Sequence, residues 1–132
     1  MKKPRLDPVW PFLIILTLFT ASGQSQLAAP SFSFSPDKIA HFMVFGALAT
    51  SVIRLDRFRT SGWTGALWVW FWIALYGGLD EYRQSFTPGR SVEFDDWLAD
   101  ALGAAVAVVL YQGWPAYRRV LESRPMDGLG EA

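Results

Sequence analysis

Three scarcities in the sequence restrict what the protein can be. It contains no cysteine, which excludes disulfides, thiolate catalysis and cysteine metal sites. It has one histidine among 132 residues, and this argues against zinc, because zinc sites usually take several histidine or cysteine ligands. Its 12 basic and 12 acidic side chains give a net charge of zero, so there is no excess of positive charge to bind nucleic acid.

Charge is also scarce relative to apolar residues. Only 18% of the residues are charged, whereas 52% are hydrophobic and 16% are aromatic. A water-soluble domain of this length usually carries more charge and fewer aromatic side chains. The composition therefore predicts a membrane protein.

Four apolar blocks carry this composition, at residues 9–21, 38–55, 63–79 and 97 to 111 or 114. We expect each block to form one helix, which gives an all-α membrane bundle of four transmembrane helices in a single domain of residues 1–132. The first block is short and follows basic residues, so a cleaved signal peptide is the alternative for it. In both cases the segment after the first block lies outside the cytoplasm.

The basic residues predict how the bundle is oriented. If the N-terminus is inside the cell, nine of the 12 basic residues are cytoplasmic, and only Lys38, Arg83 and Arg90 lie outside. This asymmetry follows the rule that cytoplasmic loops carry the excess of lysine and arginine. We therefore expect a multi-pass protein of the inner, or cytoplasmic, membrane with both termini in the cytoplasm.

Polar residues gather at the outer ends of the second, third and fourth blocks. Asp37 and His41 are four residues apart, as are Asp96 and Asp100, so each pair lies on one helical face. An ionisable residue in a membrane helix usually faces the bundle interior or a cavity. The sequence thus predicts one outward-facing ligand site, which consists of Asp37, Lys38, His41, Glu81, Gln84, Arg90, Asp96 and Asp100.

Several of these residues also have structural interpretations. Asp37 can cap the second helix through its carboxylate. Glu81 with Gln84 and Arg90 can form a buried ion pair that locks the loop onto the bundle. Asp100 can accept hydrogen bonds from Arg90 or His41. The sequence alone leaves the structural and the functional interpretations open.

The segment between the third and fourth blocks, residues 80–96, is the most polar in the chain. Its sequence Thr87-Pro88-Gly89-Arg90 is typical of a type II turn, because proline fixes a negative φ and glycine accepts the positive φ that follows. We expect a structured loop here. The tryptophan-rich third block before it is expected to face lipid.

The order of the polar residues resembles that of the VanZ-like family of small membrane proteins. The resemblance covers residues 36–111, which we regard as the motif-bearing core, and rests on Asp37-Lys38, His41-Phe42, Phe45, Asp80-Glu81, Gln84, Pro88-Gly89-Arg90, Asp96, Asp100 and Gly103. The family is named for an accessory protein associated with resistance to teicoplanin, a lipid-bearing glycopeptide antibiotic. Its biochemical activity is poorly defined. The resemblance therefore implies a bacterial-type envelope protein and a site more than a reaction.

Two functions are expected from this resemblance and from the polar residues. The first is binding of an envelope lipid headgroup or an amphiphilic, glycopeptide-type antibiotic, with membrane lipids, a lipid-linked envelope precursor or the antibiotic as partners. The alternative is a membrane-embedded hydrolase or transferase acting on a lipid-linked substrate, with His41, Glu81 and Asp100 as catalytic candidates. The chain has no Gly-x-Ser-x-Gly or His-Glu-x-x-His motif, which would mark a nucleophile or a zinc protease. We expect no metal and no cofactor, although His41 with Glu81 and an aspartate is the less favoured alternative of a metal site, for a hard cation rather than zinc. The sequence specifies no oligomeric state.

Overall fold

The structure is a computed structural model that describes residues 8–23 and 36–123. These residues form six helices and no strand: α1 Val9–Ser22, α2 Pro36–Ile53, α3 Asp56–Arg59, α4 Gly62–Gln84, α5 Phe94–Gly113 and α6 Pro115–Glu122. The prediction of an all-α fold is thereby confirmed for the described part of the chain. The outer loop predicted from Gly23 to Pro36 lies outside the described residues except at these two ends. The basic residues Lys2, Lys3 and Arg5, and Arg124 with the tail after it, also lie outside them.

The helices match the four apolar blocks with two differences. The third block was expected to end at Leu79, but α4 continues to Gln84, and α5 begins at Phe94. The connecting segment is therefore residues 85–93, shorter than the predicted loop of 80–96. In addition, α3 occupies the arginine-rich connection and α6 follows the fourth block, and neither short helix was predicted. None of the helices in the described residues is both long enough and apolar enough to cross a membrane.

Packing explains why α4 does not end at its Gly77-Gly78 pair. A Cβ atom placed on Gly77 would lie 2.9 Å from an Asp100 carboxylate oxygen and 3.3 Å from the Phe45 ring. The missing side chain therefore makes room for two neighbouring helices at this level. Such tertiary packing offsets the weak helix propensity of glycine.

The core lies where α2, α4 and α5 meet. Its buried side chains alternate between large and small, so that the helices can approach closely: Phe45, Leu48, Ala49, Ile53, Ala66, Val69, Ile73, Ala104, Ala107, Val108 and Tyr111. In addition, the indole groups of two tryptophans form hydrogen bonds between α4 and α5. Trp70 donates to the Ala101 carbonyl at 3.1 Å, and Trp97 donates to the Ala74 carbonyl at 2.9 Å. Trp70 thus turns inward from the aromatic run that was expected to face lipid, whereas Trp68 and Trp72 are exposed.

The closest approach of backbones is between α2 and α5. A Cβ atom on Gly103 would lie 2.2 Å from the Phe42 carbonyl oxygen, and one on Gly46 would lie 3.3 Å from the Gly103 carbonyl oxygen. Only a residue without a side chain fits at Gly103. Small residues at such crossings let dispersion contacts form along the whole interface.

Charged residues occupy the two ends of the bundle. The end formed by α3, α6 and the C-terminus of α2 is arginine-rich: Arg118 donates to the Arg59 carbonyl at 3.2 Å, and Tyr111 and Arg118 donate to the Glu122 carboxylate. Burial acts to raise the pKa of Glu122, but these two hydrogen bonds and the positive charges of Arg118 and Arg59 together outweigh it, and the net shift of the pKa is downward. The opposite end, which we call the polar end, is formed by the C-termini of α1 and α4 and the N-termini of α2 and α5.

Replacing Gly103 by alanine tests the α2–α5 contact. A glycine-to-alanine change inside a helix normally stabilises it by up to about 1 kcal/mol. At Gly103 we expect the opposite sign, a loss of about 1–3 kcal/mol in the free energy of unfolding, because the new methyl group overlaps the Phe42 carbonyl. Thermal unfolding of the purified protein measures it. Gly113→Ala is the matched control in the same helix, because a Cβ atom there meets nothing within 4 Å. Equal melting temperatures for the two variants would contradict the close contact.

Candidate functional site

The contact at Gly103 determines which polar side chains meet at the polar end. His41 directly precedes Phe42 on α2, and Asp100 lies three residues before Gly103 on α5. A spacing of three residues keeps Asp100 on the same face as Gly103, one turn closer to the helix start. The side chains of His41 and Asp100 are therefore brought together wherever the two backbones touch.

His41 and Asp100 form a hydrogen-bonded pair. The His41 Nδ1 atom lies 2.8 Å from the Asp100 Oδ1 atom, and Asp100 is only 1% exposed. The imidazole also stacks on the Phe45 ring at a centroid distance of 6.3 Å. These contacts fix the orientation of the ring. A histidine that is held by a carboxylate through one ring nitrogen has its second nitrogen available for proton transfer or ligand binding.

Lys38 links the acidic residues at the start of α5. Its Nζ atom lies 3.0 Å from an Asp96 oxygen and 3.3 Å from a Glu93 oxygen. The backbone N–H of Glu93 in turn donates to Glu81 Oε2 at 3.1 Å. Glu81 is 3% exposed, and its other carboxylate oxygen, Oε1, has no hydrogen-bond partner among the described residues.

A second group of polar residues centres on Asp80 of α4. Its carboxylate accepts a hydrogen bond from the Ser22 hydroxyl at 2.6 Å and one from the Gln84 amide at 3.0 Å. Arg83 donates to Ser22 at 3.1 Å and to the Phe19 carbonyl at 2.6 Å, and its guanidinium covers the Phe19 ring at 3.7 Å. These bonds attach the end of α1 to α4.

The turn at residues 87–90 delivers Arg90 to this group. Gly89 has a φ of +82°, and the Arg90 N–H donates to the Thr87 carbonyl at 3.1 Å, as expected for a type II turn. The Arg90 side chain donates to the Gln84 amide oxygen at 2.5 Å. Its Nε atom is buried without a hydrogen-bond partner in the described part of the chain.

A cavity of about 160 Å³ lies between the two groups. Its polar lining is Asp37, His41, Asp80, Gln84 and Arg90, with Ser22 at the end of α1. Apolar side chains of α1 and α2 form the rest of the wall: Leu18, Ala21, Ala40 and Val44. The cavity therefore offers charged donors and acceptors at one side and hydrocarbon at the other.

Comparison with known proteins identifies the fold family. The sequence profile of the VanZ/LLP1 family matches residues 5–115, most of the chain. The chain belongs to the VanZ/LLP1 family. The resemblance predicted from the polar residues is thereby confirmed, and every residue of the two polar groups falls inside the matched range of this VanZ/LLP1 protein. No curated protein matches the chain. No solved structure matches it either.

The structure brings most of the predicted site residues of this VanZ/LLP1 protein to one end. Donor atoms of His41, Glu81 and Asp100 lie within 4.8 Å of one another, and so do those of Asp37, His41 and Asp96. Lys38 joins them through Asp96, and Gln84 and Arg90 reach the cavity from the Asp80 group. The site itself stays a prediction, since proximity alone assigns no ligand.

Two structural interpretations from the sequence are wrong. Arg90 pairs with Gln84, and among the described residues it forms no ion pair with Glu81, Asp96 or Asp100. The reason is that α4 extends to Gln84. The side-chain amide at this helix end therefore meets Arg90 before the carboxylates can. Asp37 is not the cap of α2, because the helix begins at Pro36 and Asp37 already lies in its first turn.

Sequence reasoning missed three contributors to the VanZ/LLP1 site: Ser22, Asp80 and Arg83. Asp80 and Arg83 were recognised as outer charges, but they were assigned to a loop. A helix that includes them puts Asp80, Arg83 and Gln84 within one turn, which was the available signal. Ser22 is separated from Asp80 by 58 positions, and no local pattern indicates such a contact.

Arg83→Ala tests whether α1 is attached through the Asp80 group. The change removes the bonds to Ser22 and Phe19 and the ring contact, so we expect the free energy of unfolding to fall by about 1 kcal/mol. We also expect faster protease cleavage between α1 and α2. Arg119→Ala, an exposed arginine of α6, should change neither. If both variants behave alike, α1 is not attached to the bundle by Arg83.

Proposed function

We propose that this VanZ/LLP1 protein is an integral membrane protein in which α1, α2, α4 and α5 are the four transmembrane helices. The support is an exposed apolar surface between the two charged ends. On α4 alone, seven large apolar side chains are more than a third exposed: Trp63, Leu67, Trp68, Phe71, Trp72, Leu75 and Leu79. Contiguous apolar surface of this kind is unfavourable in water and favourable in lipid.

The helix lengths are compatible with this proposal. α2, α4 and α5 have 18, 23 and 20 residues, or about 27, 34 and 30 Å at the usual helical rise. The hydrocarbon core of a bilayer is about 30 Å thick. α1 has 14 residues, about 21 Å, and a bilayer accommodates a short helix by local thinning.

The charged ends support the proposed orientation. Among the described residues, five arginines lie at the arginine-rich end: Arg54, Arg57, Arg59, Arg118 and Arg119. Lys38, Arg83 and Arg90 lie at the polar end together with seven carboxylates. Basic residues favour the cytoplasmic side, so we place the arginine-rich end in the cytoplasm of a multi-pass protein of the inner membrane, and the polar end outside.

A single cysteine tests the orientation cleanly, because the natural chain has none. We expect Ser91→Cys, in the connection between α4 and α5, to react with a membrane-impermeant thiol reagent in cells whose outer barrier is permeabilised. The control Ser61→Cys, next to α3 at the arginine-rich end, should react only after the inner membrane is lysed. The reverse pattern would overturn the orientation, and equal labelling of both in intact cells would contradict a membrane barrier between them.

We further propose that the polar end binds the anionic headgroup of an amphiphile, either a lipid-linked envelope precursor or a glycopeptide-type antibiotic with an acyl chain. The observation that carries this proposal is the cavity of about 160 Å³, which is lined by Arg90, an arginine whose buried Nε donor has no hydrogen-bond partner among the described residues. Guanidinium groups bind phosphate and carboxylate through several directed N–H donors. The apolar wall from α1 and α2 suits the first methylene groups of a chain that continues into the bilayer.

One observation favours catalysis as a second candidate. His41 is held by the buried Asp100 carboxylate and also lines the cavity. In a hydrolase or transferase acting on a lipid-linked substrate, this arrangement would let His41 take a proton from an attacking hydroxyl group or water. Glu81, whose carboxylate lies next to the pair, would then act as the second proton carrier.

Ligand titration tests whether the polar end binds an anionic headgroup. We expect the purified protein to bind a long-chain alkyl phosphate more tightly than the alcohol of the same chain length, because only the phosphate meets Arg90. Arg90→Gln should weaken phosphate binding by roughly tenfold, the effect of losing one charge-assisted contact. Arg119→Gln at the opposite end should leave binding unchanged.

Two further comparisons test where the ligand comes from and whether the protein is an enzyme. Comparing the affinity for teicoplanin with the affinity for the same glycopeptide without its acyl chain tests whether the ligand is the antibiotic. Binding of the alkyl phosphate tests whether the ligand is a lipid. Conversion of a lipid-linked phosphate into a new species, lost in His41→Gln, would favour the enzyme over the binding protein. Equal affinity for phosphate and alcohol, or no effect of Arg90→Gln, would contradict headgroup binding.

A further inference from the structure

The buried carboxylates at the polar end exceed the cations that face them. Asp80, Glu81, Asp96 and Asp100 are each at least 94% buried. Arg83 lies 3.7 Å from Asp80, Lys38 lies 3.0 Å from Asp96, and His41 bonds Asp100. Glu81 has no lysine, arginine or histidine within ion-pair distance in the described part of the chain.

Glu81 is therefore a buried acid that lacks a counter-charge among the described residues. One of its oxygens is occupied by the Glu93 N–H, and the other, Oε1, has no partner. A buried carboxylate oxygen that makes no hydrogen bond is expensive, and natural proteins usually supply a donor, a positive charge or a metal ion. No donor from the described chain reaches this oxygen.

The surroundings of Glu81 have the dimensions of a metal site. One carboxylate oxygen each from Glu81 and Asp100 and a ring nitrogen of His41 all lie within 4.8 Å of one another. Ligands on opposite sides of an ion are separated by about twice a bond length of 2.0–2.4 Å, and adjacent ligands by about 3 Å. His41 Nδ1 and Asp100 Oδ1 are hydrogen-bonded at 2.8 Å, and an ion that binds both atoms would replace this hydrogen bond at a separation close to that of adjacent ligands.

We propose that His41, Glu81 and Asp100 bind one divalent cation at the polar end. The donor set decides the class of ion: one imidazole with two carboxylates is a mixed nitrogen and oxygen set that suits a divalent first-row metal ion, and Mn²⁺ is the probe because its paramagnetic resonance can be measured. The neighbouring carboxylates of Asp37 and Asp96, whose oxygens lie within 4.8 Å of a His41 nitrogen, add negative potential near the ring. This site replaces the sequence-based expectation that the chain binds no metal.

The proposed cation site is additional to the headgroup site, and binding of the cation does not depend on binding of a headgroup. The donor atoms are all supplied by the protein, so the ion binds without any amphiphile present. For this reason the metal alone is the probe, and a negative result for the alkyl phosphate leaves the metal experiment unaffected.

The experiment is a titration of the full-length, purified protein with Mn²⁺ after treatment with a chelator. Electron paramagnetic resonance of the free ion measures binding, and thermal unfolding measures the stabilisation that binding to the folded state causes. We expect about one Mn²⁺ per chain and a higher melting temperature in its presence. Glu81→Gln keeps an acceptor for the Glu93 N–H but removes the charge, and it should weaken binding at least ~10-fold. Asp95→Asn removes an exposed carboxylate from the first turn of α5 and is the control.

Melting temperatures measured without and with Mn²⁺ distinguish a loss of metal binding from a simple folding defect. Without metal, Glu81→Gln should melt at the same temperature as the natural protein or higher, because the uncompensated charge is gone. With Mn²⁺ the order should reverse, since only the natural protein gains from the ion. The proposal is overturned if the natural protein binds no Mn²⁺, if Glu81→Gln binds it equally well, or if Asp95→Asn loses as much affinity as Glu81→Gln.

Discussion

The approach of α2 to α5 at Gly103 is the constraint on which the rest of the polar end depends. Because the Phe42 carbonyl occupies the space that a side chain at residue 103 would fill, the two helices have one possible separation at this level. That separation seats His41 against Asp100, and Gly77 on α4 leaves room for the same carboxylate from the third side. A buried ionisable group tolerates little freedom of position, so backbone contacts set its place better than flexible side chains do.

Much of this arrangement could be predicted from the sequence, because it depends on local periodicity. Spacings of four residues put Asp37 with His41 and Asp96 with Asp100, and the proline and glycine before Arg90 specified the turn. The contacts of α1 could not be predicted, since the Ser22–Asp80 bond joins residues 58 positions apart. The extension of α4 was missed for a related reason: a glycine pair suggests an end, and only the neighbouring helices make it a site of close packing. The helix α6 had a usable signal in Pro115 at its first position.

The two ends hold their charges in different ways. At the arginine-rich end, guanidinium groups bond to the Arg59 carbonyl and to the carboxylates of Asp56 and Glu122, and the side chains remain partly exposed. At the polar end, four of the seven acids, Asp80, Glu81, Asp96 and Asp100, are almost completely buried, so their mutual repulsion is poorly screened by solvent. The first arrangement is suited to fixing the position of the bundle, and the second to receiving a ligand. This division explains why the charges cancel in number and yet leave one end with a strong negative potential.

The rigid α2–α5 contact also determines which changes in chain length the protein can tolerate. Inserting one residue between Asp100 and Gly103 would rotate Asp100 by about 100° around the helix axis and separate it from His41, although no residue type had changed. The same insertion in the connection between α4 and α5 would be absorbed by the turn. Related sequences should therefore vary in the lengths of their connections, whereas the intervals from residue 41 to 46 and from residue 100 to 103 should stay fixed. The geometry of the site thus depends on the spacing of these residues as much as on their identity.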